Sequence, residues 1–146
     1  NVSWYQAKEY CQRLGKRLPT EWEWENAASS KTGTKYYWGN EFDSDFAWFN
    51  GNSSSRTNPV GQKNPNPIDL FDMTGNVWEW VNSLYESYPY DANEGREDLG
   101  ASGFRVLRGG GWRLVAFIAR SAARSRLDPN DADRYGGFRC AASAAP

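Results

Sequence analysis

The chain has 146 residues, 16% of them aromatic with eight Trp and eight Tyr, and a formal net charge of −1. That length suits one domain with a real core, which with so few aliphatics must be built from large rings. No run approaches the roughly 18 apolar residues that span a bilayer, and the absence of histidine removes the commonest general base and the commonest zinc, copper and iron ligand.

The chain opens on "NVSWYQ", without Met and already inside a structured motif, so the natural protein is expected to begin upstream. Ser3 and Gln6 have capping-box spacing, Tyr5, Tyr10 and Leu14 give an approximate apolar face, and Gly15 is a stop, which predicts a first helix. A second helix is expected in "RLPTEWEWENAASS", with Thr20 as cap, Glu23 closing another box, and Glu21, Glu23 and Glu25 at the positive end of the dipole. Trp22 and Trp24 are two apart and cannot share a helix face, so one packs inward and the other goes to a neighbouring loop.

From about Lys31 to Asp69 the sequence is rich in Gly, Asn, Ser and Pro with aromatics between them. So long a stretch without periodicity fits a compact domain only as a functional or metal-organised loop layer. Strands are expected at 76–81, 105–110 and 137–142, and helices followed by short strands read as an α+β domain.

The charge is uneven. Residues 1–98 hold five Lys and four Arg against six Asp and nine Glu, whereas residues 99–146 hold eight Arg against three Asp. A basic tail raises nucleic acid as a partner. That reading is disfavoured because Arg120, Arg124 and Arg139 sit among small and aromatic residues, where an arginine fork ties loops to carboxylates and carbonyls. Cys11 and Cys140, near opposite ends, are either a terminus-locking disulfide or two buried thiols.

The densest motif is "DLFDMTGNVWEW" (69–80). Gly75 and Asn76 allow a tight turn, with the Asp72 and Glu79 carboxylates on either side. Oxygen-only ligands around a turn suit calcium; the other reading is a turn whose Asn76 and Glu79 satisfy backbone groups. Alternation in "NVWEW" puts Val77 and Glu79 on one face and Trp78 and Trp80 on the other, a core face or a sugar-stacking platform.

The segments "VSWYQAKEYCQRLGKRLPTEWEWENAA", "YYWGNEF", "NPVGQKNPNPIDLFDMTGNVWEW", "RVLRGGGW", "ARSAAR" and "GFRCAA", in this order, resemble the formylglycine-generating enzyme (sulfatase-modifying factor) family over nearly the whole chain. The resemblance implies a single C-type-lectin-like domain over 1–146: two helices, a small antiparallel sheet and long loops, without the strands that usually precede "VSW". It implies calcium ligands at the Asp72 and Glu79 side chains and the Gly75 and Val77 carbonyls. A second family calcium site, near Trp48 and 50–58, finds no Asp here and is expected to be lost. The resemblance also places Cys11 and Cys140 close in space. Enzymes of the family bind copper through two cysteines in the segment that here reads "RLVAFIA" (113–119), which has no sulfur. Without soft ligands neither copper nor histidine-bound iron is expected, and the chain is read as a non-enzyme.

Every residue from Arg113 to Arg139 belongs to the set that codons of the form NNY encode, and no Lys, Glu, Gln or Met occurs after position 97. The region 108–140 is therefore similar to the variable region of a diversity-generating retroelement target, a class that uses the C-type-lectin-like fold. The resemblance makes Trp112, Ala116, Arg120, Ser121, Ala122, Arg124, Pro129, Gly137, Phe138 and Arg139 a constant frame. The expected ligand-binding positions are Arg113, Leu114, Val115, Phe117, Ile118, Ala123, Ser125, Leu127, Asp128, Asn130, Asp131, Asp133, Arg134 and Tyr135. The first four aliphatic and aromatic positions form an expected apolar patch. The implied partner is a protein or cell-surface ligand, which accords with a cell-surface or secreted location.

Overall fold

The computed structural model describes residues 1–143. Its elements are α1 (Trp4–Arg13), α2 (Glu21–Ser29), β1 (Trp78–Leu84), β2 (Arg105–Arg108), a 3-10 turn (Ala116–Ala119), β3 (Arg124–Leu127) and β4 (Gly136–Phe138). Both expected capping boxes form. Ser3 Oγ accepts the Gln6 N–H at 3.2 Å while Gln6 Oε1 accepts that of Ser3 at 3.0 Å. Thr20 and Glu23 exchange the same pair at 3.1 and 2.8 Å, which fixes where α2 starts.

The buried stripe of α1 is Trp4, Ala7 and Cys11, whereas Tyr5, Tyr10 and Leu14 are about half exposed, so the expected apolar face is corrected. Small Ala7 and Cys11 let the helix approach the sheet, which the bulkier residues do not. The same spacing buries Glu21, Trp24 and Ala28 on α2. Trp24 packs inward at 1% exposure, but Trp22 stands out at 56% rather than on a loop.

The four strands form one sheet in the order β3-β2-β1-β4. β2 runs antiparallel to both β1 and β3, but β4 lies parallel to β1, so the sheet is mixed rather than wholly antiparallel. The segment 128–135 accounts for the difference. Leu127 is level with Arg105 and so with Leu84, whereas Gly136 is level with Trp78. The chain thus travels back along the sheet and crosses to its far side before β4 begins.

Each face of the sheet is covered. Trp80 and Leu107 pack against Trp4, Ala7, Cys11 and Leu18 below α1. Val81 and Val106, on the opposite pleat, pack with Trp24, Ala28, Tyr37 and Met73 below α2. The Cys11–Cys140 disulfide, with Cα atoms 5.5 Å apart, joins α1 to the residue two beyond β4. Between α2 and β1 the chain is irregular, as its composition predicts, and rings organise it: Tyr36 stacks on Trp38 at 4.8 Å, Trp38 on Phe46 at 4.9 Å, and Phe42 meets Phe49 edge-on at 4.8 Å.

Candidate functional site

Two places gather the residues singled out in the sequence. The first is a hollow of about 410 Å³ lined by Asp72, Gly75, Val77, Glu79 and Arg139 among others. It exists because Gly75 and Asn76 turn the chain with φ of 80° and 63°. A Cβ on Gly75 would lie 2.2 Å from the Trp48 carbonyl oxygen, so only glycine fits. All four expected calcium-ligand residues therefore share one cavity.

Their partners differ sharply. Glu79 Oε1 and Oε2 both accept from the Arg139 fork at 2.6 Å, and Oε2 also accepts the Trp24 indole N–H at 2.7 Å. Arg139 further donates to the Phe71 and Asp72 carbonyls. Asp72 Oδ2 accepts the Gly61 N–H at 2.7 Å, while Oδ1 is buried without a partner. Burial pushes the Asp72 carboxyl above the usual carboxylate range, against the opposing pull of the Gly61 N–H and the Arg139 charge. For a hard cation the fit rests on that unpartnered Asp72 oxygen, since Glu79 is already neutralised by a guanidinium. At the second family site the Asn52 and Asn58 side chains are committed to backbone groups.

The second place is the C-terminal segment, which the structure divides into frame and face. Arg124 grips Glu21 with Nε to Oε1 at 2.6 Å and Nη2 to Oε2 at 2.8 Å, and its guanidinium also covers Tyr85 and Tyr88. Arg124 and Arg139 thus tie loops to carboxylates as their setting predicts. Arg120 does not; it lies over the Phe117 ring at 4.4 Å, and its Nε is buried without a hydrogen-bond partner. Ala119 and Ser121 are buried, and the Pro129 carbonyl accepts the Trp4 N–H at 3.1 Å.

Between these anchors side chains point outward. Val115 is 51% and Phe117 60% exposed, Arg113 and Arg134 are exposed, and Leu114 and Ile118 are half-buried beside them. Arg113 and Arg134 both donate to the Tyr135 hydroxyl, and Tyr135 meets Trp112 at 5.2 Å. Desolvation works against it, yet the two guanidiniums hold the Tyr135 hydroxyl below the usual tyrosine range. Asp133 closes this corner by accepting the Tyr135 N–H at 3.1 Å.

The expected binding positions do not all belong to that surface. Asp128, Asn130 and Asp131 are exposed but follow the end of β3 that is level with Leu84, the opposite end of the sheet from Tyr135. Ser125 and Leu127 lie on β3 half-buried, and Leu127 packs against the α1 core. Ala123 is buried at 7% exposure with its carbonyl accepting from Arg108 at 2.8 Å, so its expected place on the surface is corrected. Apart from Ala123, the expected positions thus form one patch around 113–118 and 133–135 and a second around 125–131.

Over residues 1–144 the chain matches the sulfatase-modifying factor enzyme 1-like domain. The chain belongs to this family. It is 43% identical over 96% of its length to the serine/threonine-protein kinase pkn1 of Chlamydia caviae, of which it spans 23%. It is 36% identical over 99% of its length to the formylglycine-generating enzyme of Streptomyces coelicolor, of which it spans 52%. The chain therefore covers between about a quarter and a half of these relatives. Its fold matches that of Treponema denticola variable protein 1 with a TM-score of 0.77 and 28% identity, covering 94% of this chain and 68% of that one. The chain has the C-type-lectin-like architecture, with two helices flanking a small mixed sheet.

The family fold also rests on residues that composition did not single out. Arg96, Arg105 and Arg108 are fully or almost fully buried. Arg105 donates to the carbonyls of Asn82, Asp98 and Ala101 and lies 4.2 Å over the Trp4 ring. Arg108 pairs with Glu25 and approaches Glu21 at 3.6 Å. The basic tail was the only trace of Arg105 and Arg108 in the sequence, and these two of its arginines point inward. Among the described residues no helix is long and apolar enough to cross a membrane.

Proposed function

We propose that this chain is a non-enzymatic ligand-binding protein, the target of a diversity-generating retroelement, whose outward side chains between 113 and 135 recognise a protein or cell-surface ligand. The observation that carries the reading is the alternation of roles along one segment. Glycines 109 to 111, Ala119, Ser121 and Arg124 are packed into the domain, while Arg113, Val115, Phe117 and Arg134 between and beyond them are exposed. Such a surface changes its side chains without touching the core. The restriction of 113–139 to NNY-encoded residues and the 28% identity to a variable protein of the same fold support it. Copper oxidation of a cysteine substrate lacks its ligands: the chain has two cysteines and no histidine, and Cys11 and Cys140 are bonded to each other.

We further propose a structural calcium in the Asp72 hollow, held by Asp72 with the Gly75 and Val77 carbonyls, with Glu79 shared with Arg139. There the ion would neutralise a buried carboxylate and brace the turn.

The test randomises Arg113, Leu114, Val115, Phe117, Ile118, Arg134 and Tyr135 with NNY codons and displays the variants against a panel of cell-surface proteins. Most variants remaining folded, with distinct ligands selected by distinct sequences, is the expected result. A library that mostly unfolds, or aerobic turnover of a cysteine peptide by the copper-treated parent, refutes the proposal.

A further inference from the structure

We propose that the open cleft between α2, the loop after it and the turn before β3 binds a tetrahedral oxyanion, as a phosphate or sulfate ester, through Lys31, Lys35, Arg120 and Ser121. This assignment uses Arg120 and Ser121 of the constant frame, so it stands whether or not the outward positions of 113–135 are diversified.

The cleft encloses about 520 Å³, and all four residues line it together with Glu25 and Thr34. Its cations come from both walls. Lys31 and Lys35 are exposed on the loop after α2, and Arg120 rises from the opposite turn with its guanidinium laid 4.4 Å over the Phe117 ring. A backbone hydrogen bond from the Ser121 N–H to the Lys35 carbonyl, at 3.3 Å, joins the two walls. The one carboxylate on the lining is spent: Glu25 pairs with the buried Arg108 and accepts the Tyr88 hydroxyl at 2.9 Å. The net field inside the cleft is therefore positive.

The second observation is independent of charge. Ser121 is only 4% exposed, and its hydroxyl has no hydrogen-bond partner; the Nε of Arg120, next to it, is also buried and unpartnered. Buried polar atoms without partners are uncommon in native folds, and two on neighbouring residues that line this cleft leave donors there for an acceptor to engage. A hydroxyl, a guanidinium and two ammonium groups form a donor-rich set that suits a multiply charged oxyanion. The cleft lies in the size range of small-ligand sites, roughly 300–1,000 Å³, which leaves room for an oxyanion carried on a body of sugar size.

Titration calorimetry at fixed ionic strength with glucose 6-phosphate, inorganic phosphate, inorganic sulfate and glucose tests this. Saturable one-to-one binding of glucose 6-phosphate is expected, with none of glucose; the tighter of the two inorganic ions identifies the ester class. Lys31→Ala with Lys35→Ala alters only exposed side chains, and Ser121→Ala removes the buried hydroxyl at nearly constant volume. Each variant is expected to weaken binding by about tenfold or more, as loss of hydrogen bonds to a charged group requires. Absence of saturable binding, or equal affinity in folded K31A/K35A and S121A variants, overturns the proposal.

Discussion

Replacing Arg124 by Met keeps the length of the side chain and removes the fork from Glu21. Glu21 is 1% exposed, and its two oxygens take hydrogen bonds of 2.6 and 2.8 Å from that one guanidinium. The remaining cation, Arg108, stands 3.6 Å from Oε1 and is itself engaged by Glu25 and the Ala123 carbonyl. Removing one partner of a buried ion pair costs about 3–5 kcal/mol, and the residual Arg108 contact places this case near about 3 kcal/mol. Phe117→Asn, on a side chain 60% exposed, is expected to cost less than about 0.5 kcal/mol. At roughly 2–4 °C per kcal/mol for a domain of this size, R124M should melt about 6–12 °C below the parent and F117N within about 2 °C of it. Urea unfolding with a shared m-value measures both. If F117N loses as much as R124M, or R124M loses less than about 1 kcal/mol, the division of the segment into frame and face is wrong.

Calcium at one hundred times its dissociation constant is expected to stabilise the parent by about 2.7 kcal/mol; calorimetric melts in calcium and in EGTA read this, and D72N should abolish the difference. The pH dependence has a defined sign at Glu23, whose carboxyl the Arg17 guanidinium holds below the usual carboxylate range. A depressed carboxylate contributes stability that is complete above its unfolded pKa of about 4.3 and is lost as pH falls through the lower folded value. Melting of the parent and E23Q between pH 7 and 3 should show a gap that closes below that range, and a constant gap refutes the coupling.

The helix starts were legible because Ser3, Gln6, Thr20 and Glu23 are local signals, satisfied within one turn of chain. The face that α1 buries was not, since Tyr5 and Tyr10 are apolar but Ala7 and Cys11 are what fit against Trp80 and Leu107. β3, "RSRL", reads as polar and was missed, because Arg124 is half-buried through an ion pair 103 residues away in sequence. The parallel pairing of β4 depends on how far 128–135 travels, which no pattern records. The residues of the Asp72 hollow were legible, and they do meet. That Glu79 would be taken by Arg139 was not, because a fork between residues 60 apart is set by tertiary packing. The positions expected to vary came from the resemblance together with the NNY residue set, which carry no geometry, so their partition over two ends of the sheet was invisible.

β3 is an outer strand of the sheet, and two of the positions read as variable, Ser125 and Leu127, lie on it. An outer strand whose residues drift at random is an aggregation hazard, since any sampled apolar pair offers a template to another molecule. The positions alternating with them are Arg124 and Arg126, the latter exposed and lying over Tyr85 and Phe104 at 5.0 and 5.2 Å. Arg126 thus places an exposed positive charge beside the free backbone of the strand, while the charge of Arg124 is taken by Glu21. On the proposed reading, that charge disfavours edge-to-edge pairing at this rim whichever side chains Ser125 and Leu127 receive.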